Sequence, residues 1–156
     1  MILSRVADAL YWMGRYLERA ENVTRLLIVT EEMSSEVLGL DEDVARAEWS
    51  ELRAIFPDGD GGKPPHSLPA LVQVALYALS IDPGHPHSIF FSLKKARDNA
   101  RTVREALTIE VFVALNETYK HDARGARSRH RHGRPARRRA ALSAARLPRL
   151  RRAGAQ

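Results

Sequence analysis

The sequence predicts an all-α protein, a helical bundle of about four helices followed by a basic C-terminal tail. Apolar residues recur at alternating spacings of three and four in two long stretches, residues 6–27 and 89–114. This is the period of one face of an α-helix. No segment alternates apolar and polar residues for long enough to require a β-strand, so helices account for the whole core.

The first helix is predicted over residues 4–37, with Ser4 as its N-cap and Gly39 as its stop. Its core stripe consists of Val6, Leu10, Met13, Leu17, Ala20, Thr24 and Leu27. Ala9, Tyr16 and Val23 widen this stripe on one side. A polar stripe on the opposite side consists of Tyr11, Arg15, Glu18, Asn22 and Arg25. Gly14 costs a helix roughly 1 kcal/mol relative to Ala, so we expect another helix to approach closely there.

Three more helices are predicted, over residues 42–56, 68–79 and 89–119, with Ser88 as the N-cap of the last one. Loops rich in Pro and Gly separate them. The core stripe of the last helix consists of Ile89, Leu93, Ala96, Ala100, Val103, Leu107, Val111 and Ala114. The matching stripes predict that the first and last helices pack antiparallel.

Charge divides the chain into two parts. Residues 1–120 carry 13 basic and 18 acidic residues, a net charge of −5, whereas residues 121–156 carry twelve Arg and one Asp, a net charge of +11. We therefore predict a helical domain at residues 1–120 and an Arg/Ala-rich tail at residues 121–156. The tail is interpreted in one of three ways: as the frameshifted end of a GC-rich gene, as a disordered arm that binds nucleic acid non-specifically through phosphates, or as a structured segment.

Several classes of protein are excluded or disfavoured by composition. Cysteine is absent, which removes disulfide and thiol chemistry and is consistent with a cytoplasmic location. No apolar run approaches the roughly 20 residues of a membrane span. Arg5 and Asp8 interrupt the N-terminal apolar pattern, so we expect neither a membrane anchor nor a signal peptide.

Two separated blocks carry a family resemblance. LSRVADALYWMGRYLERAENVTRLL at residues 3–27 and DPGHPHSIFFSLKKARDNARTVREALTIEVFVALNETY at residues 82–119 resemble the bacterial alpha-E domain family. The family is all-helical and named for a Glu-Arg signature, which here corresponds to Glu18-Arg19. Members look roughly twice as long as residues 1–120, and the resemblance ends where the basic tail begins, so a truncated domain is expected.

The resemblance also implies partners. Genes of the alpha-E family tend to accompany circularly permuted ATP-grasp proteins and transglutaminase-like proteins, which bring their own nucleotide site and cysteine. This association of genes implies a role in making or trimming amide-linked peptides. Within such a system the chain is expected to be an accessory or scaffold rather than the catalyst.

A candidate polar site combines the signature with a stripe of arginines on the last helix. Its members are Arg15, Glu18, Arg19, Glu21, Asn22, Arg97, Arg101 and Arg104. Like charges at i,i+4 spacing face water or an anion. The anion is either Glu18 or Glu21 on the first helix, which we expect within salt-bridge reach, or a ligand carboxylate or phosphate bound by Arg. The alternative is an ordinary solvated face, with Glu21 and Arg25 as a simple i,i+4 pair.

Other motifs are weaker, and no cofactor or metal is predicted. His85 and His87 lack further metal ligands nearby. The run PDGDGG, with Asp58 and Asp60, lacks the remaining acidic ligands of a calcium loop, and the Gly-Lys-Pro at residues 62–64 lacks the spacing of a P-loop. Glu110 lies near the edge of the last core stripe, where a buried carboxyl would be a paired structural acid or a general acid.

Three functions remain open. The first is a non-catalytic partner of an ATP-grasp ligase system. The second is an enzyme that acts on a carboxylate or amide substrate, with Glu18 and Arg19 beside Arg97, Arg101 and Arg104. The third is a nucleic-acid-binding protein that acts through the tail.

Overall fold

A computed structural model describes residues 2–37, 41–57 and 64–132, and these residues form five α-helices, one 3₁₀ turn and no strand. The helices are α1 Ile2–Val37, α2 Glu42–Ile55, α3 Leu68–Ser80, α4 Ile89–Thr102 and α5 Ile109–His132, and the 3₁₀ turn is Arg104–Ala106. The all-α prediction is confirmed. The described residues contain five helices rather than about four, because the last predicted helix is two.

Helix α1 is covered unevenly along its length. In its C-terminal half Ala20, Val23 and Leu27 are buried, whereas Leu10 and Leu17 in the N-terminal half are only half-buried. The prediction that Leu10 and Leu17 are buried was therefore wrong, since both are only half-buried. Periodicity identifies the apolar face of a helix but does not show which other element covers it. The helix also begins before Ser4, which lies exposed in the first turn and is not the N-cap. Gly39 lies outside the described residues.

Helices α2 and α3 pack against the C-terminal half of α1. Asp41 caps α2, since its Oδ1 accepts hydrogen bonds from the backbone N–H groups of Asp43 at 2.9 Å and Val44 at 3.4 Å. Trp49 is 1% exposed, and its Nε1 donates to Ser34 Oγ on α1 at 3.0 Å. Helix α3 completes this end of the core with a set of buried apolar residues: Leu68, Leu71, Ala75, Leu76, Ala78 and Leu79.

The predicted helix over residues 89–119 is broken between Val103 and Thr108. The Val103 N–H bonds to the Ala100 carbonyl at 3.3 Å, a short i−3 contact that ends α4. The Thr102 hydroxyl donates to the Asn99 carbonyl at 2.7 Å, and the β-branched Thr102–Val103 pair is a poor helix former. Helix α5 then restarts with the Thr108 carbonyl accepting from Phe112 at 3.2 Å. The break turns one predicted helix into a hairpin.

Helix α4 packs chiefly on α1, and α5 packs back on α4. Ala96, Ala100 and Leu93 are completely buried, as the predicted stripe required. The small side chains of Ala96 and Ala100 suit a close approach of the two helices. The start of α4 lies near Arg19 of α1, and the residues after its end lie near Leu10, so α1 and α4 are antiparallel.

Helix α5 continues past the predicted domain boundary at residue 120 and ends at His132. Asp122 and Ala123, assigned to the tail by charge, are 8% and 6% exposed. The last predicted helix therefore ended 13 residues too early, because Arg and Ala are good helix formers whatever their effect on net charge. Residues 133–156 lie outside the described part of the chain.

None of the helices in the described residues is long and apolar enough to cross a membrane.

Candidate functional site

The signature residues lie on a continuous outer surface of α1. Arg15 Nη1 donates to Glu18 Oε2 at 3.1 Å, and Arg25 Nη2 donates to Glu21 Oε1 at 2.8 Å, which confirms the predicted Glu21–Arg25 pair. Arg15 and Arg25 have side chains 58% and 70% exposed. Exposed pairs of this kind contribute about 0–1 kcal/mol to stability, so they leave the surface available to a partner. Asn22 is exposed on the same strip.

Arg19 belongs to a row of aromatic side chains on α1. The Tyr11 and Trp12 rings meet edge to face at 5.4 Å, the Trp12 and Tyr16 rings lie 6.1 Å apart, and the Arg19 guanidinium carbon lies 5.9 Å from the centre of the Tyr16 ring. We call these four residues the aromatic–arginine face. Tyr11 is 59% exposed and Trp12 45% exposed, which is unusual for large aromatic side chains. Sequence reasoning placed Tyr11 in the polar strip and did not single out Trp12.

The loop before α4 is held in one conformation by local hydrogen bonds. Asp82 Oδ1 accepts from the Gly84 N–H at 2.9 Å, and the Ser88 hydroxyl donates to the Asp82 carbonyl at 2.6 Å. Ser88 Oγ also accepts from the Phe91 N–H at 3.0 Å, so the prediction that Ser88 caps this helix is confirmed. The loop therefore fixes His85 and His87 beside α1.

The two histidines of this loop have different surroundings. His85 is 5% exposed, and its Nδ1 accepts from the His87 backbone N–H at 3.3 Å. In the neutral imidazole the ring proton is then on Nε2. The His87 ring lies 5.8 Å from that of His85 and 5.5 Å from that of Phe56 at the end of α2. His87 therefore lies where α1, α2 and α4 meet.

Burial lowers the pKa of His87 from its usual 6.5, and the positive charge of Arg19 and the neighbouring His85 lower it further. The unfolded chain then binds the proton more readily than the folded chain. This group's contribution to stability is complete above pH 6.5 and is lost as the pH falls below that value toward the folded-state pKa.

We therefore expect the urea midpoint to decrease as the pH is lowered from about 7 to about 5, and His87→Gln to make that decrease shallower. His66→Gln, at an exposed loop histidine, is the matched control and should leave the slope unchanged. An identical slope in the wild type and the His87→Gln variant would contradict the assignment.

Two of the three arginines in the predicted stripe of the last helix, Arg97 and Arg104, contact α5. Arg97 Nε donates to Asn116 Oδ1 at 2.7 Å, and its guanidinium carbon lies 4.7 Å from the centre of the Tyr119 ring. The Arg104 guanidinium lies 5.2 Å from the Phe112 ring, and Arg101 is exposed. These contacts are with a neutral amide and with aromatic rings, not with the acidic side chains that we expected. The meeting of that stripe with α1 is not among the described contacts and stays a prediction.

The other residues singled out from the sequence are either exposed or outside the described residues. Glu110 is exposed in the first turn of α5, so neither a buried structural acid nor a buried general acid is present there. The chain turns before Glu110, and this moves its side chain away from the extrapolated core stripe. Asp58, Asp60 and the Gly-Lys pair at residues 62–63 lie outside the described residues. Within the described ranges, no three His, Asp or Glu side chains are grouped as metal ligands.

An apolar groove separates the N-terminal half of α1 from the start of α5. It has a volume of about 400 Å³ and opens to solvent. Its lining residues are Leu10, Met13, Gly14, Leu17, Glu18, Ala106, Leu107, Thr108, Val111 and Leu115. This α1–α5 groove lies on the other side of α1 from Trp12 and Arg19, and it explains why Leu10 and Leu17 are only half-buried.

Comparison with known proteins places this arrangement in a family. A model of the Alpha-E family, described as "a predicted alpha-helical domain with a conserved ER motif", matches residues 2–149. The match continues well past residue 119, where the resemblance had been expected to end. Glu18-Arg19 is the one Glu-Arg dipeptide in the sequence, so the motif of that description corresponds to these two residues.

The curated relatives are themselves uncharacterised. An uncharacterised protein of Mycobacterium bovis and one of Mycobacterium tuberculosis are each 34% identical to this chain over 121 residues, and another of M. tuberculosis is 33% identical. The matches cover 71% of this chain and 14% of each relative, so the chain spans a small part of their length. No solved structure matches. From the family match and the helical structure together, the chain belongs to the Alpha-E family.

Proposed function

We propose that this chain is a non-catalytic accessory that docks a protein partner through the aromatic–arginine face of α1. The observation that carries the proposal is the row Tyr11–Trp12–Tyr16–Arg19, with Tyr11 and Trp12 about half exposed. Tyr, Trp and Arg dominate the energetically important positions of protein interfaces, because they combine large apolar area with a polar end. Free in solution, this face leaves apolar area in water that a partner can cover.

The proposed partner is a circularly permuted ATP-grasp protein of a peptide-modification system, with a transglutaminase-like protein in the same system. The family resemblance suggests these partners. The ATP-grasp protein would bring the nucleotide site, and the role of this chain would be to position it. Arg15 and Arg19 on the same surface can pair with carboxylates at the rim of such a partner.

The test is a binding measurement between this chain and a circularly permuted ATP-grasp protein of the same organism, by isothermal titration calorimetry. Trp12→Ala and Arg19→Ala should each weaken binding by about tenfold or more, the loss of roughly 1.4 kcal/mol or more that hot-spot truncations cause. Met33→Ala is the matched control, because Met33 is 51% exposed on the same helix about 30 Å from Trp12. Equal affinity for all three variants would refute the proposed face.

The alternative is an enzyme that acts on a carboxylate or amide substrate, and one observation favours it. Glu18 borders the α1–α5 groove, and Arg19, the next residue of the motif, is near enough to His87 for its charge to lower the pKa of that imidazole. Glu18→Gln separates the two functions. Loss of turnover of an amide-linked peptide with partner binding retained would support the enzyme, whereas loss of binding alone would support the accessory. Nucleic-acid binding through the tail concerns residues 121–156, of which residues 133–156 lie outside the described part of the chain.

A further inference from the structure

A small pocket lies where the C-terminal part of α1 meets α2 and the start of α3. It has a volume of about 160 Å³ and opens to solvent. Its polar lining residues are Glu31, Ser34, Ser35 and Glu42, and its apolar wall consists of Trp49, Leu68, Pro69 and Val72. Cofactor and drug-sized sites have volumes of about 300–1,000 Å³, so this α1–α2–α3 pocket suits a much smaller ligand.

The surroundings of the α1–α2–α3 pocket are acidic. Residues 31–43 carry six acidic side chains and no basic one. The last turn of α1 also lacks a basic residue to complement the negative end of its helix dipole. Glu42 has a distant partner in Arg46 at 3.7 Å, and none of the described residues forms an ion pair with Glu31. Charge therefore favours a cation in this pocket.

The lining of the pocket suits an organic cation better than a metal ion. Metal ions such as Ca²⁺ take six or more oxygen ligands. Within the part of the chain that the structure describes, no three His, Asp or Glu side chains are grouped in this way. The apolar wall, in contrast, can bury the hydrocarbon part of an organic cation.

Ser34 is a buried polar group that lines the pocket. It is 7% exposed, and its Oγ accepts a hydrogen bond from Trp49 Nε1 at 3.0 Å. A serine hydroxyl can also donate one hydrogen bond, and no group in the described residues accepts a bond from Ser34. The neighbouring Ser35 differs, because its hydroxyl donates to the Glu31 carbonyl at 2.6 Å. A buried donor without an acceptor is unfavourable, so a ligand that brings an acceptor to Ser34 gains affinity.

The two polar requirements lie close together. Glu31 and Ser34 are three residues apart on α1, so their Cβ atoms are about 5–6 Å apart. In the first residue of a peptide, three bonds separate the nitrogen from the carbonyl oxygen, a distance of at most about 4 Å. A lysine side chain carries its ammonium group on a four-carbon stem with no acceptor beside it. The spacing therefore favours an N-terminal residue over a basic side chain.

We propose that the α1–α2–α3 pocket binds the N-terminal residue of a peptide. The α-ammonium group of this residue lies beside Glu31 and Glu42, its carbonyl oxygen accepts from the Ser34 hydroxyl, and its apolar side chain packs on the apolar wall. Capture of an N-terminal amine is a recurring mode of peptide recognition. Ser34 lies about 33 Å from Trp12 along α1, so this site is separate from the aromatic–arginine face and goes beyond the docking function.

Three small probes separate the groups that the pocket recognises. Leucinamide carries the ammonium group, the carbonyl and an apolar side chain, whereas N-acetyl-leucinamide lacks the charge and isoamylamine lacks the carbonyl. Each probe is titrated into the full chain at about pH 6.5, where an α-ammonium group is charged. Leucinamide should shift the NMR signal of the Trp49 indole N–H, because that group bonds to Ser34. The Trp12 indole is the internal control and should not shift, since it is the other tryptophan of the chain.

The affinities of the probes decide between the possible ligands. N-acetyl-leucinamide should bind at least about tenfold more weakly than leucinamide, because it forms no charge-assisted hydrogen bonds with the carboxylates. Isoamylamine should bind about fivefold more weakly, because it offers Ser34 no acceptor. Equal affinity for leucinamide and either of these probes would overturn the proposal. So would tighter binding of N-acetyl-lysinamide, or an unshifted Trp49 signal at millimolar leucinamide.

Glu31→Gln tests the cation site without changing the volume of the pocket. The affinity for leucinamide should fall about tenfold, because a charged acceptor becomes neutral. Glu32→Gln is the matched control, since Glu32 is exposed on the same helix and does not line the pocket. It should change the affinity by less than about twofold. Equal weakening in the two variants would show a general effect of charge and would contradict a defined site.

Val72→Phe tests whether the ligand occupies the pocket itself. The larger side chain fills part of the space beside the apolar wall, so the Trp49 shift with leucinamide should be lost. Val74→Phe makes the same change at a 39% exposed position of α3 that does not line the pocket, and it should leave the shift intact. Unchanged leucinamide affinity in a folded Val72→Phe chain would overturn the proposal. If that variant does not fold, the comparison of Glu31→Gln with Glu32→Gln decides alone.

Discussion

Trp49→Ala is expected to destabilise the domain by about 3–5 kcal/mol, a large part of the roughly 5–15 kcal/mol that holds a typical domain folded. Trp49 is 1% exposed in the core cluster where α2 meets α1. Replacing it removes the largest fully buried side chain among the described residues and leaves a cavity that the surrounding helices fill only in part. Urea denaturation followed by circular dichroism measures the change.

The Trp49 indole also forms a hydrogen bond, and the contribution of that bond to stability can be measured separately from that of the buried side-chain volume. Trp49 Nε1 donates to the buried hydroxyl of Ser34, so Trp49→Phe leaves that hydroxyl without its indole donor. A double-mutant cycle of Trp49→Phe with Ser34→Ala should give a coupling of about 0.5–1.5 kcal/mol. Val44→Ala, at a 45% exposed position of the same helix, is the control and should change stability by no more than about 0.5 kcal/mol. A loss from Trp49→Ala no larger than that of the control would contradict the packing described.

Periodicity predicted the helices well where one face is fully covered. The spacing of Leu93, Ala96 and Ala100 identified the side of α4 that packs on α1, and all three are buried. Charge was a poorer guide to boundaries. The basic composition after residue 120 suggested a new region, yet α5 continues to His132, because helix propensity and burial depend on the side chain rather than on net charge.

The break between α4 and α5 is the main reason why the contacts of the predicted arginine stripe could not be predicted from the sequence. Thr108, an N-cap type of residue followed by Glu110 in the first turn, was the available signal. Once the chain turns, Arg97 lies against Asn116 and Tyr119, and no extrapolation of a straight helix could place it there. The effect of the Arg19 charge on the pKa of His87 is likewise tertiary, since 68 residues separate the two in sequence.

Leu93→Ala is expected to cost about 2–5 kcal/mol, because Leu93 is completely buried in the interface between α4 and α1. This interface holds the start of α4, and therefore His87, against the α1 surface that carries Arg19. A cavity at Leu93 lets the two helices shift, which lessens the burial of the His87 imidazole and weakens the effect of the Arg19 charge on it. The variant should therefore show both a lower unfolding free energy and a His87 pKa that moves back up toward 6.5.

Chemical denaturation measures the first effect, and NMR titration of the His87 ring measures the second. Leu3→Ala is the matched control, because Leu3 is 84% exposed and should change neither quantity measurably. If Leu93→Ala lowers stability while the His87 pKa stays where it is in the wild type, the α1–α4 interface supports the core without positioning the loop. If the pKa rises as expected, the packing of α4 on α1 sets the surroundings of His87 and joins the core of the domain to the loop beside the α1 surface that carries Arg19.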